Sequence, residues 1–216
     1  MPYLLRVSLP DVPGSLGRVA TAIGEAGGDI EAIEIVEHRE DGTAVDDVLL
    51  EVAPGTMPDS VVSACNTLDG VTVLWISRYA AGGNVFLDLE VVEQLTQNPP
   101  TAYDDLVDLL PVAFRADWAT RLSVTGGGVK QVHSTSAAPD LGDEQARWLP
   151  LRRAARLEVD PDWSMLTGNV VAGAPLGEDG LVVIGRRGGP DILDSEVARL
   201  AHLVGLAQTI SASDGG

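Results

Sequence analysis

The chain opens on an alternating apolar run, Tyr3 to Leu9, which reads as a strand. A short polar interruption follows, and the period then changes. Leu16, Val19, Ala20 and Ile23 recur at i, i+3, i+4 and i+7, an apolar stripe on one helical face that Gly27 and Gly28 end. Ile30, Ile33, Ile35 and Val36 form a β-branched run. Glu40, Asp41, Gly42 and Thr43 have the chemistry of a turn before Val45, Val48, Leu49, Leu50 and Val52, so a hairpin is predicted. Thr56 and Asp59 have the spacing of a capping box ahead of a second stripe, Val61, Cys65 and Leu68, which Asp69 and Gly70 close. Val71 to Trp75 is the last strand of this stretch. The order strand, helix, strand, strand, helix, strand predicts a ferredoxin-like α+β unit, an antiparallel sheet covered on one face by two helices.

Ala80, Ala81, Gly82, Gly83 and Asn84 then suggest a joint, and a boundary near residue 83. Val85, Leu87, Leu89, Val92 and Leu95 predict a helix terminated by Pro99 and Pro100. Thr101 is placed to cap a helix carrying Leu106, Leu109 and Leu110, which Pro111 is expected to bend or interrupt. Trp118 to Val124 alternates like a strand, and Gly126 to Gly128 turns it into Val129 to Ser134. Val170 to Pro175 and Leu181 to Arg187 read as two more strands, joined across Gly177 to Gly180. Asp194 is expected to cap a final helix with Val197, Leu200, Ala201, Val204 and Ala207 inward. The division is therefore residues 1–80, a linker and connecting helix over 81–100, and a second domain over 101–216.

The chemistry of the first domain concentrates where its period changes. Asp11, Val12, Pro13, Gly14, Ser15 and Leu16 join strand to helix. Pro13 suits a first helical turn, because its fixed φ fits and its missing N–H would have been an orphan, and Asp11 then falls at the N-cap. Taken alone, Asp11 is most simply a cap. Free N–H groups and the positive end of the helix dipole nevertheless make such a start a natural seat for a carboxylate.

In motif, spacing and element order, residues 3–79 resemble the ACT domain, an amino-acid-sensing module of allosteric enzymes and regulators. The residues that carry the resemblance are Asp11, Pro13, Gly14, Leu16, Val19, Ile23, Gly27 and Ile30. It implies an effector bound by Asp11, Val12, Pro13, Gly14, Ser15 and Leu16 together with Asp29 and Ile30 at the start of the second strand, commonly at an interface between two such domains. Many amino-acid-binding members have Asn where this chain has Asp29. An ionised Asp29 can only accept, so it either holds a ligand's ammonium or the effector is not an ordinary amino acid.

Residues 101–210 are similar to a GAF domain, a sensor fold whose pocket lies between the sheet and its covering segments. The family-like residues are Ala174, Pro175, Leu176, Gly177, Gly180, Leu181, Val183, Ile184 and Gly185, then Gly189, Pro190, Asp194, Glu196, Leu200 and Ala201. Trp118, Trp148, Trp163 and His133 are the side chains to seek around a pocket, although ordinary core packing is the commoner use of such aromatics. Cys65, the single cysteine, lies in the other domain, which excludes covalent bilin attachment here.

Charge narrows the partners. The formal net charge is −18, with 4 basic and 13 acidic residues in 1–80 and 10 and 19 in the remainder, so neither half offers a basic footprint for nucleic acid. Anionic membrane surfaces are disfavoured likewise. Arg147, Arg152, Arg153 and Arg156 are the one basic cluster, expected as a solvated helix face. No signal peptide, membrane span or lipidation motif is read, and a cytoplasmic protein is expected. Cys65 reads as a small buried hydrophobe. His38, His133 and His202 lack metal-ligand spacing, and no catalytic constellation or cofactor motif is found. The paired acids Asp46 with Asp47, and Asp104 with Asp105, read as turn or surface residues.

The sequence thus predicts a non-catalytic small-molecule sensor, its effector an amino acid, acting as a homodimer or through interdomain rearrangement. The competing reading is a docking subunit for a partner enzyme, with degenerate ligand sites.

Overall fold

In the computed structural model, residues 2–78, 84–126, 128–141 and 143–213 are described. The chain divides into two compact units, Met1–Ala81 and Gly82–Gly216. The joint expected at residues 80–84 falls mostly outside the described residues.

The first unit runs β1 (Pro2–Pro10), α1 (Ser15–Glu25), β2 (Gly28–His38), β3 (Thr43–Val52), α2 (Pro58–Asn66) and β4 (Thr72–Arg78). Its four strands are ordered β2-β3-β1-β4, and every pairing is antiparallel. This is the predicted ferredoxin-like arrangement. Cross-strand partners share a face, so Tyr3 with Leu50, Leu5 with Val48, and Val7 with Asp46 all point the same way. That face is packed under the helices: Tyr3, Leu5, Val7, Leu9, Val48 and Leu50 join Val19, Ile23, Val61 and Cys65 in one core. Burial raises the Cys65 thiol above its ordinary range, in keeping with a structural role. Gly28 is required where α1 meets β2, because a Cβ there would lie 2.6 Å from Ile23 Cγ2.

Two expected caps are corrected. Asp11 does not cap α1: the chain makes a further turn, Ser15 N–H bonding Val12 O at 3.2 Å, so Gly14 becomes the N-cap at φ 92°. The Thr56–Asp59 box is not formed either. Pro58, pre-set for a first helical position, places the start of α2 after Met57, and no side chain caps it.

The second unit comprises α3 (Asn84–Gln97), α4 (Ala102–Phe114), β5 (Trp118–Thr125), β6 (Gly128–Ser134), β7 (Ala155–Leu157), β8 (Asn169–Leu176), β9 (Gly180–Arg187) and α5 (Asp194–Ser213). Its antiparallel sheet is ordered β6-β5-β9-β8-β7. Alternate residues serve two cores. Ala119, Ala172, Ala174, Val182 and Ile184 pack with α3, α4 and α5. Trp118, Leu122, Val171, Leu181 and Val183 face the opposite way, against Leu141, Trp148, Leu157, Trp163 and Leu166.

Several expectations change here. Residues 84–97 are not a linker helix, because Val91 and Leu95 are buried in the core with α4 and α5. Arg199 of α5 fixes this placement, gripping both oxygens of Asp88 at 2.6 to 2.9 Å. Pro111 does not interrupt α4, which continues to Phe114 and ends at Arg115 in the left-handed region. Its cost of about 3 kcal/mol is outweighed by a buried face of Leu106, Val107, Leu110, Ala113 and Phe114. On α5, Leu203 takes the inward position expected of Ala201, which is exposed.

Candidate functional site

The β1–α1 loop is held from the neighbouring hairpin. Asp41 accepts from Thr43 Oγ1 at 2.6 Å and Thr43 N at 3.0 Å, closing the β2–β3 turn. The Thr43 hydroxyl, then its N–H, hold the Asp41 carboxyl below the usual carboxylate range. Gly42 O of that turn accepts the Asp11 N–H at 2.9 Å. With its backbone fixed there, Asp11 turns its carboxylate to the end of β2, where Oδ2 lies 2.8 Å from His38 Nδ1. Helix α1 is thereby left with no side-chain cap and no acidic residue in its first turn. With the Ser15 N–H given to Val12 O, the following N–H groups of the first turn and the positive dipole end face outward as a seat for an anion. Val12 beside it is 58 % exposed, while Ser15 is buried.

Beneath this loop lies a feature the sequence reading misplaced. Asp46 and Asp47 are not surface residues; both lie within β3 and are buried. Adjacent strand residues point to opposite faces. Asp47 meets Arg6 on one, with Arg6 Nε to Oδ1 at 2.7 Å and Nη2 to Oδ2 at 2.8 Å. Asp46 points to the helix-covered face beside Val7, 2 % exposed, and its Oδ1 has no hydrogen-bond partner among the described residues. Burial, then the nearby Asp11 charge, push the Asp46 carboxyl above its ordinary range; His38 pulls it down and Asp47 adds to the rise. Asp11, His38 and Asp46 therefore lie close enough to feel one another's charge.

Asp29 and Ile30 are elsewhere. They pair with Glu51 and Leu50, whereas His38 pairs with Ala44 at the other end of β2. Nine residue steps of strand, about 30 Å, separate Asp29 from His38. Within one chain the expected site residues thus form one cluster, Asp11 to Leu16, and a second at the far end of the sheet.

The family model matched by this chain covers residues 3–62 and is described as the ACT domain. Residues 3–62 match the ACT domain. ACT domains are small-molecule-sensing regulatory modules, so the coarse assignment of this unit is a regulatory one. No curated protein matches the chain. Among solved structures, the GAF domain/HD domain protein from Geobacter sulfurreducens is similar at 20% identity and TM-score 0.43, over 56% of this chain and 96% of that one. The GAF domain from Acinetobacter phosphoenolpyruvate-protein phosphotransferase shares 12% identity at TM-score 0.45, over 60% and 95%. Free methionine-R-sulfoxide reductase from Neisseria meningitidis, solved with its substrate, shares 11% at TM-score 0.47, over 63% and 95%.

Beyond the ACT-type unit, the space expected between sheet and covering segments is filled. Trp118, Trp148 and Trp163 are core residues, the last two packed edge to face at 5.5 Å between centroids. His133 Nε2 lies 3.0 Å from Asp108 Oδ1, away from that core. A cavity of about 510 Å³ opens instead at the hairpin end of the sheet, lined by Val124, Val129, Leu149, Pro150, Glu178 and Asp179. The arginine cluster is not a helix face. Arg147 bonds Asp160 at 2.6 Å, Arg156 bonds Asp194 at 2.7 Å and Ile192 O, and Arg152 and Arg153 are exposed on a loop.

Among the described residues, no three His, Cys, Asp or Glu side chains are grouped as metal ligands, and no helix is long and apolar enough to cross a membrane.

Of the side chains gathered at the candidate site, His38 and Asp46 are not singled out by the sequence pattern as site residues. Asp46 carried one signal: an acid inside the apolar run Val45 to Val52, at a position whose neighbours at i+2 and i+4 are core residues. His38 carried none, because only the closed hairpin brings it to Asp11.

Proposed function

We propose that the chain is a non-catalytic sensor of a small carboxylate ligand, an amino acid, bound where Asp11 to Leu16 open helix α1. The observation that carries this reading is the uncapped start of α1: Gly14 at the N-cap, no acidic first turn, and an Asp11 side chain diverted to His38. A helix start left so open favours an anion by dipole and by N–H donation together. Asp29 and Ile30, about 30 Å along β2, contribute on this reading from a second copy of the chain, which makes the working form a homodimer. The ligand acts by favouring one pairing of the two copies, a population shift that needs no bond-making chemistry. The protein works on this reading in the cytoplasm, without cofactor, nucleic acid or membrane.

The test is sedimentation and thermal unfolding of the full chain against the common amino acids at millimolar concentration. A ligand at ~100 times its dissociation constant stabilises by about 2.7 kcal/mol, a shift of several degrees. The expected result is one selective rise, lost in Gly14→Val and accompanied by a change in dimer population. A chain that stays monomeric, or that responds to no amino acid, overturns the reading and leaves docking to a partner enzyme as the function to test.

A further inference from the structure

We infer that Asp46 is the counter-ion for the ligand's ammonium group, so that the α1 site selects zwitterionic α-amino acids over simple organic acids. The inference rests on the α1 loop being the ligand site and adds the polarity of what it takes. An uncapped helix start attracts only the carboxylate end of a ligand and cannot by itself distinguish an amino acid from any other acid. The second group is on the same face of the sheet as α1 and at the same end. Asp46 pairs with Val7 on β1 and Ile35 on β2, three to four residues short of the loop and of His38, and shares its face with the core residues beneath the helix. A carboxylate held 2 % exposed, with one oxygen meeting no donor among the described residues, calls for a cation or donor to complete it.

Neighbouring chemistry narrows that cation. The guanidinium of Arg6 is held by Asp47 on the opposite face. No group of three metal-ligating side chains forms among the described residues, which leaves Asp46, Asp11 and His38 short of a metal site. A primary ammonium suits Asp46 better: a compact charge with three donors, one of which Asp46 Oδ1 can accept. The way in is the exposed pair, since His38 and Asp11 are 64 % and 45 % exposed and held to each other by one contact. An entering ammonium replaces His38 as the partner of Asp11. The two acids at this end, Asp46 and Asp11, also oppose a second carboxylate, so dicarboxylic acids without an amine are disfavoured by charge.

The experiment is calorimetric titration of the full chain with each amino acid that raises its unfolding temperature, beside the matched α-hydroxy acid, in which a hydroxyl replaces the ammonium. Wild type is expected to bind the hydroxy acid at least tenfold more weakly. Asp46→Asn is expected to lose tenfold or more in affinity for the amino acid while keeping its affinity for the hydroxy acid, so that the gap closes. Far-ultraviolet circular dichroism and the unfolding curve of the variant establish that it is folded, and the wild-type comparison of the two ligands needs no variant. Equal binding of the pair by wild type, or an unchanged gap in Asp46→Asn, overturns the role of Asp46 and leaves the sensor reading standing. Absence of binding by every amino acid overturns both.

Discussion

Arg6 and Asp47 face each other across β1 and β3 as a two-pronged ion pair, both side chains 3 % exposed, on the side of the sheet away from α1 and α2. Such a pair contributes little net stability, because desolvating two charges offsets their attraction, yet breaking it strands a buried charge. Arg6→Met and Asp47→Ala are each expected to cost about 3–5 kcal/mol in urea unfolding, a large part of a domain's total stability. The double variant Arg6→Met with Asp47→Leu is expected to recover most of the loss, which a double-mutant cycle reads directly. Additive losses would mean that the two side chains do not act as a pair.

Asp46 has no such partner among the described residues, and its stability contribution depends on pH. Burial and the charges of Asp11 and Asp47 raise its folded-state value, against the opposing pull of His38. The folded state therefore holds the proton more readily than the unfolded chain does. Its favourable contribution is full below the ordinary value of 3.8 and is lost as pH rises through the folded value. Asp46→Val places a β-branched residue in a buried strand and removes an unsatisfied acceptor. It is expected to raise stability near pH 7 by about 1–2 kcal/mol. The advantage shrinks as the pH falls toward about 4. A variant less stable than wild type near neutral pH would show that the carboxylate is satisfied in the folded chain. A stabilised variant that no longer responds to ligand is the pattern of a group kept for function.

These two acids also mark the limit of what the sequence discloses. The βαββαβ order was legible because each element has its own period: i, i+3, i+4 stripes at Leu16 to Ile23 and Val61 to Leu68, runs of β-branched residues between them, and turn chemistry at Glu40 to Thr43. The loop Asp11 to Leu16 was legible for the same reason, as the place where the period changes. The cap expected at Asp11 is not formed because one extra turn moves the N-cap to Gly14, a matter of backbone hydrogen bonds that side-chain patterns do not encode. Asp46 and His38 become neighbours of Asp11 only through strand register, a long-range property. Helix α3 reads as a connector in the sequence because what ties it to the core beside Val91 and Leu95 is Arg199, more than a hundred residues later.

The contact between His38 and Asp11 is expected to do little for stability. Both side chains are well exposed, and surface pairs of this kind contribute from nothing to about 1 kcal/mol. His38→Gln should therefore leave the urea midpoint within about 0.5 kcal/mol of wild type in 0.15 M salt. Any change in ligand affinity in that variant is then a property of the site rather than of folding. A large loss of stability would place His38 in a structural role that its exposure does not suggest.

Gly185 gives the sharpest steric test in the second unit. It pairs with Trp118 across β5 and β9, and a Cβ added to it would lie 2.2 Å from both Cε2 and Cζ2 of that indole. The ring has no easy retreat. Its Nε1 donates to Asn169 Oδ1 at 2.9 Å, and it is buried among Leu122, Trp148, Val171 and Val183. Gly185→Ala must therefore displace a whole indole or the strand that carries it. We expect a loss at or above the ~3 kcal/mol upper end of ordinary overpacking. Gly126→Ala is the control, since a Cβ there meets nothing within 4 Å, and its effect should stay within about 0.5 kcal/mol. Trp118→Leu shortens the offending side chain, so Gly185→Ala is expected to cost markedly less in that background than in wild type. An equal cost in both would place the strain in the β9 backbone, and the packing of Trp118 over Gly185 would not be what makes glycine necessary there.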